Sequence, residues 1–282
     1  MASTTQIYYL ERLKLFETEK PYMVTFDLPP GVGPKTNHAY APSQVSVCDA
    51  QSQKDQFSLD VHGFQFHDWA TSLQRSEDFD STELVKSKYY PETVAHMKRT
   101  FPDALEIHVL THLRRKRDES FLGVAVKEPD FYNPIVYAHT DFTPLGAAVA
   151  IESLLQRNPH LRGHKYDMIN VWRTTNRHPN RDWPLGLCDF TTVSPEDIEF
   201  NDVIHKDHIG ESLRVYANDN HKWYFLDRQS PNQVALFRNI HSDGLSVPFG
   251  VHLALPNPFQ EEDESDRVRR ESIEMRMVRF FP

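Results

Sequence analysis

The second half of the chain is a succession of short apolar runs separated by turn signals, and this pattern limits the folds open to it. The runs are YDMINVWRTT, LGLCDFTTV, SLRVYAND, KWYFLD, QVALFRNI, PFGVHLAL and ESIEMRMVRFF. Many short strands at regular spacing are typical of a barrel or a sandwich. Nineteen prolines against ten glycines, scattered along the chain, favour short elements joined by rigid turns. The sequence therefore predicts a mainly β fold with flanking helices.

The first half adds strands and two helical regions. Residues 6–66 contain the strand-like segments QIYYLERL, YMVTFDL and QVSVCDA, and LEIHVLTHLRR alternates like a further strand. SEDFDSTELVKSKYYPETVAHMKRTF is predicted helical, with Ser81 or Thr82 as a cap and Pro91 where a second helix would start. PLGAAVAIESLLQRN is predicted as another helix. The polar stretch NPFQEEDESDRVRR is predicted to be an exposed loop. We expect a single domain over 1–282, with an N-terminal strand and helix extension.

Composition narrows the classes of partner. A net charge of −9 argues against nucleic acid and against an anionic membrane surface, since both need a basic face. The basic cluster HLRRKRD at 112–118 is predicted to be a solvated loop. Cys48 and Cys188 are too few for a disulfide framework, and no apolar run is long enough for a membrane span. We expect a cytoplasmic protein with a small-molecule partner; the sequence leaves the oligomeric state open.

A His-x-Asp tripeptide occurs three times, as His139/Asp141, His205/Asp207 and His241/Asp243. Residues two apart on a strand point to the same face, so one strand end can supply two metal ligands. A mononuclear iron(II) site with two histidines and one carboxylate needs a third ligand from a distant strand. The surroundings of each copy decide which of them meets this requirement.

The first copy fits best. His139 and Asp141 follow the apolar run IVYA, and the late segment FGVHLAL carries His252 in a similarly apolar setting. The other two copies fit worse, because one lies in a turn-rich polar stretch and the other has only His252 closely after it. The alternative is a hydrogen-bonded His139 and a core-facing His252 that bind no metal.

The last predicted strand carries polar side chains on one face. They are Arg270, Ser272, Glu274 and Arg276. An Arg-x-Ser pair can hold a dicarboxylate, because the guanidinium forks onto a carboxylate and the hydroxyl adds a hydrogen bond. With a metal triad upstream this favours binding of 2-oxoglutarate, while a charged outer face of an amphipathic strand remains the alternative.

Trp172 and Arg173, in INVWRTT, are candidate substrate-binding residues. The strand follows the helix after the His-x-Asp dyad and is expected to line the barrel. The structural alternative places Trp172 in the core and pairs Arg173 with Asp189 or Asp182.

The chain resembles the fungal hydroxylase/desaturase family related to the cephamycin 7-methoxylase subunit, aspergillic acid hydroxylase and gibberellin desaturase. The segments that carry the resemblance are SLDVHGFQF, KYYPETVAHMKR, HTDFTPLGA, INVWRTT, DWPLGLCDFTTV, YANDNHKWYFL, VALFRNIHSD, VHLALPNP and RESIEMRMV. The resemblance implies a double-stranded β-helix, which is a cupin-like jelly roll. It also implies an oxygenase of secondary metabolism that uses Fe(II), 2-oxoglutarate and O2.

The resemblance assigns roles by matching motifs. Its metal dyad falls on His139 and Asp141, its distal histidine on His252, and its arginine strand on 270–276. The implied reaction releases succinate and CO2 and hydroxylates or desaturates an unactivated carbon, with Arg270 or Arg276 on the far carboxylate of 2-oxoglutarate. The alternatives are a metal-dependent hydrolase and a non-catalytic metabolite-binding barrel on the same fold.

Overall fold

The computed structural model describes residues 2–118, 131–260 and 268–282, so part of the predicted exposed loop lies outside the described residues. The strands in this part are β1 (Ala2–Leu10), β2 (Tyr22–Val24), β3 (Tyr40–Asp49), β4 (Phe64–Asp68), β5 (Glu106–Lys116), β6 (His139–Thr140), β7 (Lys165–Thr174), β8 (Leu185–Cys188), β9 (Ile198–Ile204), β10 (Ile209–Val215), β11 (Trp223–Phe225), β12 (Gln233–His241), β13 (His252–Ala254) and β14 (Glu271–Phe281). The α-helices are α1 (Leu59–His62), α2 (Thr82–Leu84), α3 (Tyr90–Thr100) and α4 (Pro144–Arg157).

Two sheets face each other across a shared core. The larger has the strand order β1-β3-β11-β8-β13-β6-β10-β9-β2, and the smaller has the order β4-β12-β7-β14-β5. Leu187 of the larger sheet packs with Trp172 and Phe237 of the smaller one in a single buried cluster. Side chains interleaved between two curved sheets give the layered arrangement of a jelly roll.

The smaller sheet separates two environments because successive side chains of a strand point to opposite faces. On β7, Trp172 faces the larger sheet. Its neighbour Val171 packs on the other side against Tyr89 and Met97 of the helical region. We call the side towards the larger sheet the inner face and the side towards the helices the outer face.

In the first predicted helical region, the predicted cap and the predicted position of Pro91 are confirmed. The two predicted helices, however, form one continuous helical segment. The Ser81 hydroxyl accepts a hydrogen bond from the Leu84 amide at 3.2 Å, which caps α2. A π-helical stretch, Val85–Tyr89, then leads directly into α3, whose first turn contains Pro91. None of the helices in the described ranges is long and apolar enough to cross a membrane.

The prediction that residues 112–118 form a solvated loop is wrong. Most of this basic cluster belongs to β5, which pairs with β14 at the edge of the smaller sheet. Arg114 is only 5% exposed, and its guanidinium pairs with Asp80 at 3.0 Å and with Glu271. Charge alone was a poor guide, because the buried Arg114 contacts two carboxylates once the strand is paired.

Candidate metal centre

Strand pairing brings together two histidines that are more than a hundred positions apart. β13 runs antiparallel to β6, with His252 directly opposite His139, and their ring centroids lie 4.3 Å apart. Asp141 follows the end of β6, and its Oδ1 lies 3.8 Å from Nε2 of His139. The three side chains offer ligand atoms that all lie within 4.8 Å of one another. In the part of the chain that the structure describes, no other group of three such side chains occurs.

The backbone orients both imidazoles. Nδ1 of His139 is 2.9 Å from the Tyr137 carbonyl oxygen, and Nδ1 of His252 is 3.1 Å from that of Gly250. A carbonyl oxygen only accepts, so each Nδ1 carries the hydrogen and each Nε2 keeps its lone pair for a metal. Burial, with His252 adding to it, lowers the pKa of His139 well below its ordinary value, so this imidazole is neutral at pH 7.

Asp141 is held as a carboxylate by its neighbours. Its Oδ2 accepts a hydrogen bond from Nδ2 of Asn170 at 2.8 Å, and its Oδ1 lies 3.1 Å from Nη2 of Arg276. Burial alone raises the pKa of Asp141, but Arg276 and the two imidazoles outweigh it and hold the pKa well below its usual range. Two imidazoles and one carboxylate are a donor set that fits Fe(II).

A close contact fixes the turn after Asp141. Helix α4 starts at Pro144, and the Thr143 hydroxyl caps it by accepting from the Gly146 amide at 3.1 Å. A Cβ at Gly146 would lie 2.2 Å from the carbonyl oxygen of Glu211 in β10, so only glycine lets the helix approach that strand. The turn that carries Asp141 is thereby anchored to the larger sheet.

A small cavity of about 20 Å³ lies beside the two histidines. It is lined by Arg115, Ile135, His139, Trp172, Leu185, His252, Leu253, Ala254, Arg270 and Glu274. This volume holds about one water molecule, so a dicarboxylate requires the lining side chains to move.

Arg270 is the most buried cation of this cavity, at 2% exposed. Its Nε donates to Oγ of Ser272 at 3.3 Å, and its guanidinium carbon lies 4.8 Å from the centre of the Trp172 ring. Burial, reinforced by Arg115, lowers the pKa of Arg270 to about 9, so it remains a cation at neutral pH. Arg270 thus presents a positive charge to the same cavity as the histidines.

Arg276 occupies a different position from Arg270. Besides its contact with Asp141, its Nε lies 3.4 Å from Oε1 of Glu274. Its side chain does not line the cavity beside the histidines. Of the two arginines that the sequence left open for 2-oxoglutarate, Arg270 faces the cavity and Arg276 holds the carboxylate of the dyad.

Trp172 and Arg173 lie on opposite faces of β7. Trp172 lines the cavity, whereas Arg173 is buried on the outer face beside a second cavity of about 270 Å³. There its Nε donates to the Tyr89 hydroxyl at 3.0 Å, and its Nη atoms donate to the carbonyl oxygens of Trp69 at 3.0 Å and Pro231 at 3.2 Å. The structure therefore separates Arg173 from the three candidate metal ligands.

Neither acid suggested as a partner for Arg173 contacts it. Asp182 pairs with Arg117 at 2.6 Å, and the Asp189 carboxylate accepts hydrogen bonds from the backbone and hydroxyl of Thr191. Among the described residues, all hydrogen-bond acceptors of Arg173 are neutral oxygens. The alternative that paired Arg173 with Asp189 or Asp182 is wrong, because both acids are engaged elsewhere.

The other two His-x-Asp copies do not assemble a site. The Asp207 side chain is 85% exposed, and Asp243 pairs with Lys165 at 2.7 Å at the surface. Within the described ranges neither copy joins a group of three metal-binding side chains.

Two polar residues beside the candidate metal ligands were not predicted from the sequence. Asn170 lies two positions before Trp172, so strand alternation could have placed it on the same face. Arg214 lies directly opposite His139 on β10, and nothing in the sequence alone gives that register.

Comparison with known proteins identifies relatives along nearly the whole chain. The family model described as "Oxidoreductase/YMDC permease-like domain" matches residues 7–280. The Fe(II)/2-oxoglutarate-dependent dioxygenase nvfI of Aspergillus novofumigatus is 28% identical over 254 residues, which cover 87% of this chain and 86% of that protein. The hydroxylase/desaturase efuI of Hormonema carpetanum is 27% identical over 264 residues, which cover 87% and 86%.

A solved structure shows the same architecture. The iron and alpha-ketoglutarate-dependent endoperoxidase NvfI superimposes with a TM-score of 0.84 at 25% identity, covering 99% of this chain and 98% of that one. The predicted jelly roll is confirmed, and so are the predicted cofactors Fe(II), 2-oxoglutarate and O2. The relatives give no support to the hydrolase or the non-catalytic alternative. The chain belongs to the oxidoreductase family matched over residues 7–280, and it is one of the Fe(II)/2-oxoglutarate-dependent dioxygenases that act on small molecules in fungal secondary metabolism.

Proposed function

We propose that His139, Asp141 and His252 bind the iron, and that the enzyme hydroxylates or desaturates an unactivated carbon of its substrate. The observation that carries this proposal is the group of three ligand atoms within 4.8 Å, next to a cavity that also contains a buried arginine. Fe(II) with 2-oxoglutarate and O2 supplies the oxidising power for such a reaction, with succinate and CO2 as the other products.

Arg270 binds the far carboxylate of 2-oxoglutarate in this proposal, and Ser272 assists. Both residues lie on the inner face at one end of β14, and the bond from Nε of Arg270 to Ser272 fixes the guanidinium. A buried guanidinium recognises a carboxylate through two charge-assisted hydrogen bonds. Trp172 supports the guanidinium from one side and forms a wall against water.

Arg276 has a positioning role. It neutralises Asp141 through Oδ1, the oxygen that also lies near Nε2 of His139, while Asn170 holds the second carboxylate oxygen. Metal-binding carboxylates are oriented by such partners, whose loss weakens metal affinity. Arg276 therefore acts through Asp141 rather than on 2-oxoglutarate.

The proposal also covers domain organisation and location. Residues 1–282 form a single domain, which is supported by a family match from residue 7 to residue 280. A cytoplasmic location is supported by Cys48 and Cys188, which are both free thiols.

The test is product analysis of the purified enzyme with Fe(II), O2 and 2-oxoglutarate. We expect succinate release to require 2-oxoglutarate and to disappear in Asp141→Ala. Gain of one oxygen atom by the substrate identifies hydroxylation, and loss of two hydrogen atoms identifies desaturation. Turnover that is unaffected by omitting 2-oxoglutarate would contradict the proposal.

A further inference from the structure

Three side chains lie in a row across neighbouring strands of the larger sheet. They are His252 on β13, His139 on β6 and Arg214 on β10, joined by the register pairs His252–His139 and His139–Arg214. Side chains directly opposite each other on antiparallel strands are neighbours on one face. Arg214 is therefore adjacent to a proposed iron ligand, on the side away from His252.

Arg214 is 3% exposed, and its hydrogen bonds are poor for a buried cation. Nη1 donates to Oγ of Ser212 and to the Leu213 carbonyl oxygen, both at 3.1 Å. Nη2 donates to the Met23 sulfur, a weak acceptor, at 3.1 Å. Nε is buried and has no hydrogen-bond partner among the described residues.

The polar groups around Arg214 are neutral. Nε2 of His38 donates to Oδ1 of Asn201 at 2.6 Å, so its Nδ1 accepts from the Tyr40 hydroxyl at 3.0 Å. Burial raises the pKa of Tyr40, which keeps its phenol protonated beside the guanidinium. In the part of the chain that the structure describes, no carboxylate lies within 4.0 Å of Arg214.

Three of the other buried arginines in the described residues, Arg114, Arg238 and Arg279, are paired with acids. Arg173 lacks an acid but donates to three oxygen acceptors. Arg270 also lacks an acid, and it is the residue that the proposed function assigns to 2-oxoglutarate. Arg214 has neither arrangement, and a buried charge without a counter-charge is costly. A role for Arg214 in binding an anion next to the proposed iron site would account for this cost.

We propose that Arg214 binds a carboxylate of the substrate beside the iron, so that the natural substrate is an organic acid. This inference rests on the proposed function, because it takes His139 as an iron ligand. Arg115 and Arg270 are the cations that line the cavity beside Trp172, where the proposed function places 2-oxoglutarate, and this leaves Arg214 for a second anion. The rings of Tyr40 and Tyr137 stack at 4.5 Å, and Tyr137 lies 5.1 Å from the guanidinium carbon. They offer an apolar surface to the body of such an acid.

The test uses benzoate and its neutral analogue benzamide as probes. Calorimetric titration is performed without oxygen on enzyme loaded with Fe(II) and saturating 2-oxoglutarate. We expect the wild type to bind benzoate at least tenfold more tightly than benzamide. Arg214→Gln should weaken benzoate binding about ten- to a hundredfold, the usual value of a charge-assisted bond, and leave benzamide unchanged. Arg214→Lys, which keeps the charge, should retain part of the preference and carries the test if Arg214→Gln does not fold.

Four outcomes overturn the inference. The first three are no binding of benzoate to the wild type, equal binding of the two probes, and benzoate binding that is the same in Arg214→Gln. Loss of 2-oxoglutarate affinity in Arg214→Gln with benzoate binding intact also overturns it, because Arg214 would then serve the co-substrate. A wild type that binds neither Fe(II) nor 2-oxoglutarate contradicts the proposed function instead, and the same titrations show this before benzoate is added.

Discussion

The two faces of the smaller sheet differ in chemistry although they alternate along the same strands. On the inner face, Trp172, Glu274 and Arg276 lie around the three proposed metal ligands. On the outer face, Val171 and Met275 pack in a large apolar cluster beneath the helical segment. Adjacent residues of one strand thus lie in two environments, one beside the proposed metal ligands and the other beneath the helical segment.

Buried polar groups have different roles on the two faces. Inner-face groups orient a ligand atom or face the cavity, as Asn170 does for Asp141. The outer-face cation Arg173 instead ties the sheet to the helical segment through the Tyr89 hydroxyl. Inner-face substitutions should therefore change chemistry, and outer-face substitutions should change stability.

The largest expected effect is the loss of a metal-binding side chain. His139→Ala, Asp141→Ala or His252→Ala should each abolish 2-oxoglutarate-dependent succinate release, because two ligands hold the metal too weakly. His205→Ala and His241→Ala are matched controls and should keep wild-type rates. Full activity of any one of these three variants in this assay would contradict the assignment of the three side chains as metal ligands.

The next effect concerns the co-substrate. Arg270→Ala should raise the KM for 2-oxoglutarate about ten- to a hundredfold, since a charge-assisted bond to a carboxylate contributes roughly 1.5–3 kcal/mol. Arg276→Ala should weaken iron binding instead, because it removes the cation beside Asp141. If Arg276→Ala shows the KM effect and Arg270→Ala does not, the two arginines exchange roles.

A smaller effect is expected on the outer face. Arg173→Gln removes hydrogen bonds to three buried oxygens and should lower the free energy of unfolding by about 2 kcal/mol. For a chain of this size the melting temperature should fall by roughly 4–8 °C, with kcat per folded enzyme nearly unchanged. Arg177→Gln, at an exposed neighbouring position, is the control. A fall in kcat at unchanged melting temperature would return Arg173 to the role of a ligand-binding residue.

The smallest effect is a pH dependence next to Arg214. Burial, with Arg214 adding to it, lowers the pKa of His38 to about 4, against about 6.5 in the unfolded chain. The stability from neutral His38 is complete above about pH 6.5 and is lost as the pH falls towards 4. The free energy of unfolding is measured in urea at pH 7, 6 and 5. Between pH 7 and pH 5 it should fall less in His38→Gln than in the wild type. The exposed His178→Gln should follow the wild type, and identical slopes for His38→Gln would contradict the prediction.

Much of the fold was predictable because its signals are local. Alternating apolar runs predicted most strands, and the Ser81 cap and Pro91 marked the helical segment. His139 and Asp141 were predicted as a pair because a spacing of two on a strand fixes a common face.

The rest depends on contacts between distant segments. Arg214 is placed by the register of β10 against β6, and Arg114 is buried only because β5 pairs with β14. The side on which Arg173 lies depends on which face the helical segment covers. Strand alternation places Trp172 and Arg173 on opposite faces but does not say which face is inside.

Equilibrium dialysis of Fe(II) without oxygen tests the assignment of His139, Asp141 and His252 as the metal ligands, with wild type, His252→Ala and His241→Ala compared side by side. We expect one iron per chain in the wild type and in His241→Ala, and no retained iron in His252→Ala at the same free concentration. One iron per chain in His252→Ala would contradict the assignment, because these three side chains would then not be the metal site.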